Sequence, residues 1–373
     1  MKVALLSDCY LPRLGGIEVQ VADLAQHLTA AGHDVEVFTV TGNGHDRSTE
    51  PSVEDGIRVH RFDLGLPAGL LANPFAVPEV RRRLAAGGFD VAHVHMGVVS
   101  PFAVDAARTA LGLRVPTAVT WHCVIDGSAP VHRALGYAAR WAERGAALSA
   151  VSAMAAQRVQ RILSSSTPVE VLPNGIDVDT WRRPAARQVA SGQFRIVAAQ
   201  RFMPRKRPEA LIDILLDARR QVDPSIPMRA HVVGDGPARE RLVERLEKAG
   251  ADWIHLPGRV TREHLRELYW SSHAFLSAAR LEAFGIAALE ARTAGLVPVV
   301  RAETGAEDFV VDEVSGLVAD SDDGLATALV RLATDDSLRE RLMAHNATEP
   351  PAQAWPEVVE RTLAEYARAG AHR

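Results

Sequence analysis

Two carboxylates, Glu282 and Glu290, stand in an E-x7-E pattern within LEAFGIAALEARTAG (281–295). A helix begun near Gly285 and turned about 100° per residue puts Leu289, Thr293 and Ala294 in one apolar stripe with Ile286. Glu290 falls inside that stripe and Arg292 on its far side. A carboxylate so placed costs several kcal/mol unless a partner answers it. A helix end or local salt bridge would explain it plainly; a ligand carrying hydroxyl donors is the sharper explanation. Phe284, Gly285 and Ile286 open the helix, where free N–H groups can hold a phosphate. Glu290 lies about 7.5 Å further along the axis. A phosphate at the helix start and hydroxyls one to two turns on fit a nucleoside diphosphate and its ribose. Glu282, ahead of the phosphate, would face the group attached to it.

Cations are available. Arg201 and Lys206 follow an apolar run in QRFMPRKRPEAL, and two cations at a strand end could neutralise a diphosphate. The bland alternative is a solvated basic loop, since Arg205 and Arg207 are its neighbours. Gly15 and Gly16 lie between a strand and a helix start, which suits an oxyanion. They do not make the G-x-G-x-x-G fingerprint, which weakens a dinucleotide reading. His122 follows TAVTW and should face the same crevice, although a lone histidine is often structural. His93 and His95 share a strand face like a metal pair, but no third ligand at convincing spacing follows. GDGP (234–237) is a tight turn before a helix.

The elements that must position these residues are strands alternating with helices. KVALLS (2–7), VEVFTV (35–40), FDVAHVH (89–95), TAVTW (117–121), AALSAVS (146–152) and VEVLP (169–173) read as strands. A helix over 17–31 carries Ile17, Val21, Leu24 and Leu28 at helical period. RRPAARQVASGQ (182–193) is polar, aperiodic and the best linker. The pattern then restarts with strands at 194–200, 228–234, 253–258, 273–278 and 297–302, and helices near 207–222, 237–249, 323–333 and 336–346. A last amphipathic helix spans 354–369. The expected fold class is α/β with two doubly wound domains, residues 1–183 and 193–353, and a C-terminal segment 354–373. Ligands bind such sheets at the carboxyl ends of the strands, and here a crevice between the domains is expected.

Composition narrows the function classes. The chain has 373 residues, 47% hydrophobic and 24% charged, with formal net charge −4. No global basic field recruits nucleic acid or anionic lipid. Two cysteines are too few for a disulfide framework or a cysteine zinc site and suit a reducing cytoplasm. MKVALLSD carries Asp8 and lacks the apolar core of a signal peptide. No apolar run reaches the roughly 18 residues needed to span a bilayer.

ALSAVSAMAAQRV, VLPNGID, QRFMPRK, GDGP and above all EAFGIAALE resemble family 4 of the retaining glycosyltransferases, as do PRLGGIE and the WHC histidine. The resemblance covers essentially the whole chain. It implies the GT-B fold: two Rossmann-like domains facing across a cleft, with the last helix crossing back to the first. It also implies a nucleotide-sugar donor held by the C-terminal domain and a sugar, polyol or lipid-linked acceptor held by the N-terminal one. By motif, Glu290 would take the ribose hydroxyls, Glu282 the sugar hydroxyls, and Arg201 and Lys206 the diphosphate. Gly16 would approach the diphosphate, and His122 would sit near the sugar. No metal or other cofactor is expected, because the Asp177–Asp179 pair belongs to the PNGID turn. TGA at 304–306 replaces a frequent Gly-Gly. Arg81, Arg82 and Arg83 resemble a basic cluster that touches membrane in the phosphatidylinositol mannosyltransferases; a solvated helix face is the simpler reading. Rival functions are a nucleotide-sugar epimerase or phosphorylase on the same fold, and a non-catalytic nucleotide-sugar sensor.

Overall fold

Continuous apolar runs become strands covered on both faces. In β1 (Lys2–Ser7) every residue after Lys2 is buried, and in β5 (Val91–Met96) all six are. The computed structural model describes residues 1–13, 15–43, 50–65, 71–163, 167–185, 187, 189 and 192–372. The chain forms two units, residues 1–175 with 355–373, and residues 176–354.

The first unit is an eight-stranded sheet of order β3-β4-β2-β1-β5-β6-β7-β8. Its other strands are β2 (Asp34–Thr39), β3 (Ser52–Glu54), β4 (Ile57–Arg61), β6 (Thr117–Trp121), β7 (Ala147–Ala150) and β8 (Val169–Val171). All pairs are parallel except β3–β4. That hairpin is not among the strands expected from hydrophobic patterning, although VEDGIRV carries its signal. Asp55 and Gly56 both take positive φ, 48° and 80°, as a two-residue primed turn requires.

Helices α1 (Gly16–Ala30), α2 (Val77–Gly87), α3 (Pro101–Gly112), α4 (Ala129–Leu135), α5 (Tyr137–Glu143) and α6 (Ala153–Gln160) belong to this unit, as does the last, α14 (Trp355–Arg368). One sheet face packs Leu6, Val94 and Trp121 against Phe102 and Trp141; the other packs Leu5 and Val37 against Val21, Leu28 and Tyr366. Each fully buried large apolar side chain contributes about 1.5–3 kcal/mol. Polar bonds seat α14 as well: Tyr366 OH lies 3.0 Å from His93 Nδ1, and Arg368 donates to the Leu148 carbonyl.

The second unit is a six-stranded parallel sheet of order β11-β10-β9-β12-β13-β14. Its strands are β9 (Phe194–Ala199), β10 (Met228–Val233), β11 (Ile254–Gly258), β12 (Ala274–Leu276), β13 (Val297–Arg301) and β14 (Leu317–Ala319). Its helices are α7 (Val178–Trp181), α8 (Pro208–Gln221), α9 (Arg239–Ala249), α10 (Arg262–Trp270), α11 (Ile286–Thr293), α12 (Asp322–Thr334) and α13 (Asp336–Thr348). In α8 the buried set Leu211, Ile212, Leu215 and Ala218 follows the helical period.

The division falls at Gly175 and Ile176, earlier than the boundary at 183 expected from composition. Trp181 is 2% exposed and packs on Tyr269 with ring centroids 5.6 Å apart. Its carbonyl accepts from Trp270 Nε1, and Arg183 donates to the Ala294 and Gly295 carbonyls. Single anchors of this kind hold 176–183 in the second unit and leave no trace in average polarity. Among the described residues no helix is long and apolar enough to cross a membrane.

Candidate functional site

In the second unit the chain starts at the central strand β9, builds outward through β10 and β11, then crosses to β12 on the other side of β9. This reversal between β9 and β12 makes a topological switch point, where open α/β sheets bind ligands. The loop after β9 carries Arg201 and Lys206; the loop after β12 carries Glu282 and leads into α11. Lys206 Nζ is ion-paired with the Glu282 carboxylate, their side chains 27% and 19% exposed. The Arg201 side chain is exposed and makes no ion pair among the described residues. Arg207 is committed to the scaffold, its guanidinium bound to both oxygens of Asp322 and to the Ala278 carbonyl. Those bonds hold the Asp322 carboxyl below its usual range.

Gly285 is the N-cap of α11 at φ 95°, and no side chain caps the helix. Its left-handed backbone favours glycine. Phe284 is buried against Phe309, while Gly285, Ile286 and Ala287 remain partly exposed. The turn is held from outside by Gly305, whose N–H donates to the Glu282 carbonyl at 2.9 Å. A Cβ at Gly305 would stand 2.0 Å from the Ala283 carbonyl oxygen. The TGA segment therefore supplies one indispensable glycine, a role that its sequence does not announce. Gly234 and Gly236 act likewise: a Cβ would meet the Gln200 carbonyl oxygen at 1.8 Å or the Phe202 carbonyl oxygen at 2.8 Å. GDGP thus lets β10 pack on the loop that carries Arg201.

Glu290 is 13% exposed at its side chain, and Oε1 lies 4.0 Å from a terminal nitrogen of Arg262. Tyr269 donates its hydroxyl to the Ala287 carbonyl. Burial pushes that phenol well up, and the charge of Glu290 adds to the effect. Arg292 departs from expectation. Far from facing solvent, it is buried at 9% exposure and donates to the Phe309 carbonyl and Asn346 Oδ1. The 3₁₀ turn Gly305–Asp308 and helix α13 bring these partners, so α11 is covered on two sides.

In the first unit the switch point lies between β1 and β5. Gly15 caps α1 in extended backbone, φ −177°. Glu18, 4% exposed, folds over it; a Cβ at Gly15 would meet Glu18 Oε2 at 2.3 Å. Arg13 Nε lies 3.2 Å from Glu18 Oε1. A carboxylate thus fills the space beside Gly15, whereas a Cβ at Gly16 would meet open space. Asp8 follows β1 at 2% exposure and accepts the Phe102 and Ala103 amides at 3.0 and 3.1 Å, so it caps α3. Burial pushes its carboxyl up to about 7. Thr39 and Thr41 donate to its carbonyl.

His122 Nε2 lies 3.0 Å from His95 Nδ1. Burial holds the His122 imidazole down to about 4, with the Asn174 side chain opposing it. His93 spends both nitrogens, on Tyr366 OH and Thr120 Oγ1, so the apparent metal pair is a hydrogen-bonded structural set. No group of three or more His, Cys, Asp or Glu forms a metal site among the described residues. Asp177 caps α7, accepting the Thr180 amide at 3.0 Å. Of the basic run on α2, Arg82 and Arg83 both bind Glu79, and only Arg81 carries no ion pair among the described residues. That arrangement favours the plain helix face over a membrane contact.

A family model described as Glycosyltransferase Family 4 matches residues 14–180, and one described as Glycosyl transferases group 1 matches residues 179–348. The chain belongs to glycosyltransferase family 4. Among curated glycosyltransferases it is 29% identical to a GDP-mannose-dependent alpha-(1-6)-phosphatidylinositol monomannoside mannosyltransferase of Mycobacterium tuberculosis, over 93% of this chain and 92% of the relative. It is 27% identical to a D-inositol 3-phosphate glycosyltransferase of Xylanimonas cellulosilytica, over 96% and 93%. The fold is GT-B. Anabaena Alr3699/HepE in complex with UDP and glucose superposes with a TM-score of 0.76 at 17% identity, over 98% of this glycosyltransferase and 99% of that chain. Sucrose-phosphate synthase from Thermosynechococcus elongatus gives 0.76 at 17%, over 99% of each.

Proposed function

We propose that this glycosyltransferase moves a sugar from a UDP- or GDP-sugar to a hydroxyl of a sugar, polyol or glycolipid, with retention at the anomeric carbon and without a metal ion. The observation that carries the reading is the convergence at the β9–β12 switch point. Lys206 and Glu282 pair there, Arg201 shares the loop of Lys206, the loop of Glu282 leads into the uncapped start of α11, and Glu290 lies further along that helix. In this reading the α11 amides and the two cations take the diphosphate, Glu290 the ribose hydroxyls and Glu282 the sugar hydroxyls. Charge grows on the diphosphate as the sugar–oxygen bond breaks, and cations already in place stabilise it most in the transition state. The departing phosphate takes the acceptor's proton on the same face. The roles of Gly16 and His122 rest on the family resemblance alone.

Relatives named for GDP-mannose and solved structures holding UDP set the donor panel. Unfolding would be followed with GDP-mannose, UDP-glucose and an ADP-sugar. A ligand at 100 times its Kd stabilises the native state by about 2.7 kcal/mol. One base should stand out, and transfer to a mixed acceptor pool in EDTA should yield a product whose anomeric configuration matches the donor. Activity lost in EDTA and restored by Mg²⁺ or Mn²⁺, or an inverted product, would sink the reading.

A further inference from the structure

Parallel sheets are ordinarily covered on both faces by apolar side chains. The second sheet departs from this toward its β11 edge. In β10 the buried residues Met228, Ala230 and Val232 alternate with exposed Arg229 and partly exposed His231. Register places Arg229 beside Arg195 of β9, and His231 beside His255 of β11. Side chains two apart along a strand share a face, so all four lie on one face. Arg195 and His255 are partly exposed as well. The rings of His231 and His255 stack with centroids 5.4 Å apart.

These groups have donors to spare. Among the described residues the Arg229 side chain makes no ion pair or hydrogen bond, and neither do the two imidazoles. Arg195 spends only Nε, on Gln193 Oε1 at 3.2 Å. Burial holds the His231 imidazole down to about 4, and Arg229, His255, Arg195 and His264 of α10 add to the effect. Asp252, ahead of β11, is a carboxylate that acts on His255, where Arg229 opposes it.

Like charges directly opposite on neighbouring strands destabilise a sheet. A face that keeps Arg195 against Arg229, with two unspent imidazoles alongside, suits an anion lying over it. Neighbouring strands are about 4.8 Å apart, so both guanidinium groups can reach one phosphate, whose oxygens match their forked donors. A metal ion on the imidazole pair would instead sit beside Arg229, whose charge opposes it.

We propose that this face of β9–β11 is a phosphate site, in which Arg195 and Arg229 hold a phosphate dianion and His231 and His255 donate to its remaining oxygens. It is separate from the β9–β12 switch point: Arg195 and Arg229 are the second residues of their strands, at the opposite end from the loop carrying Arg201 and Lys206. The ligand is free phosphate or a phosphomonoester. The proposal does not depend on the sugar-transfer reading.

The test uses the full chain labelled with ¹⁵N-histidine, the two rings being assigned through His231→Gln and His255→Gln. Inorganic phosphate and glycerol 3-phosphate are titrated in turn at pH 7 and constant ionic strength. Phosphate should shift both rings saturably and raise the titration midpoint of His231, because a bound anion favours the charged imidazole. Equal affinity for the ester would identify the phosphate group alone as ligand; tenfold tighter binding of the ester would mean that its carrier is held too. Arg229→Ala should raise the phosphate Kd tenfold or more. Arg201→Ala, altered at the proposed donor site, should leave the shifts as in wild type. Shifts that are absent, equalled by sodium chloride, or unchanged in Arg229→Ala would overturn the proposal. So would Zn²⁺ binding to the histidine pair without any response to phosphate.

Discussion

Lys206 and Glu282 are ion-paired across the two loops that flank the β9–β12 switch point. The sequence suggests different targets for them, a diphosphate for the cation and sugar hydroxyls for the anion. Paired, each keeps the other from standing alone in a partly buried site. A partly exposed pair is worth about 0–1 kcal/mol, so on the proposed reading an incoming diphosphate recruits the ammonium at small cost and frees Glu282 to accept hydroxyls beside it.

Arg201→Ala and Lys206→Ala should each lower kcat by roughly 10²–10³, by analogy with losing one oxyanion-hole donor. They should differ in the free protein. Arg201 has no ion pair among the described residues, so its loss should leave the urea midpoint unchanged. Lys206→Ala strands Glu282 and should lower the midpoint slightly. Steady-state kinetics and urea melts on both variants check this; wild-type turnover in either would assign that residue to solvated surface.

Glu290→Gln should weaken nucleoside diphosphate binding on the order of 10–100-fold, since bonds to a charged group contribute about 1.5–3 kcal/mol. Stability without ligand should change by less than about 1 kcal/mol, because Arg262 is half exposed and 4.0 Å away. Calorimetric titration and unfolding of the same variant separate a ribose ligand from a structural salt bridge. The salt bridge would give the reverse pattern.

Gly305→Ala should cost about 1–3 kcal/mol through overpacking, because its Cβ collides with the Ala283 carbonyl. The same push displaces the turn bearing Glu282 and the start of α11, so donor affinity should fall as well. Wild-type affinity in a folded Gly305→Ala protein would mean that this turn does not form the donor site.

Stability against pH should reflect opposing groups in the first unit. His93 and His122 are held down to about 3 and 4, and His95 well below its ordinary value. Their stabilisation is complete above about 6.5 and is lost as pH falls toward those values. Asp8 is pushed up to about 7, so its contribution is complete below about 4 and is lost as pH rises through 7. Three groups outweigh one, and the urea midpoint should rise from pH 4.5 to 6.5. Asp8→Asn removes the opposing contribution and should steepen that rise. An unchanged slope in Asp8→Asn would show that Asp8 titrates alike in both states.

Continuous apolar runs made most of the strands legible, and LEAFGI placed the start of α11 at its N-cap glycine. Helical period also put Glu290 among apolar neighbours. The same period misplaced Arg292, because it reports one packing layer and α11 has two. Pairings distant in sequence, such as Lys206 with Glu282, depend on loop geometry that no local pattern encodes. Asp8 looked only like a mark against a signal peptide until α3 brought its amides to it. His93 and His95 share a face as expected, but their partners Thr120, His122 and Tyr366 come from two other segments, β6 with its end and α14.

Because α14 belongs to the first unit, that unit is assembled from both ends of the described chain, while residues 176–354 are continuous. During synthesis the second unit can complete its contacts as soon as its own residues have emerged. The first must wait, with the sheet face bearing Leu5 and Val37 lacking Trp355 and Tyr366 until residues 355–366 have emerged. Contacts spanning so much sequence are slow to form and leave apolar surface open to aggregation meanwhile. Nascent chains stalled before residue 355 should therefore carry a protease-resistant second unit and a first unit still open to chaperones.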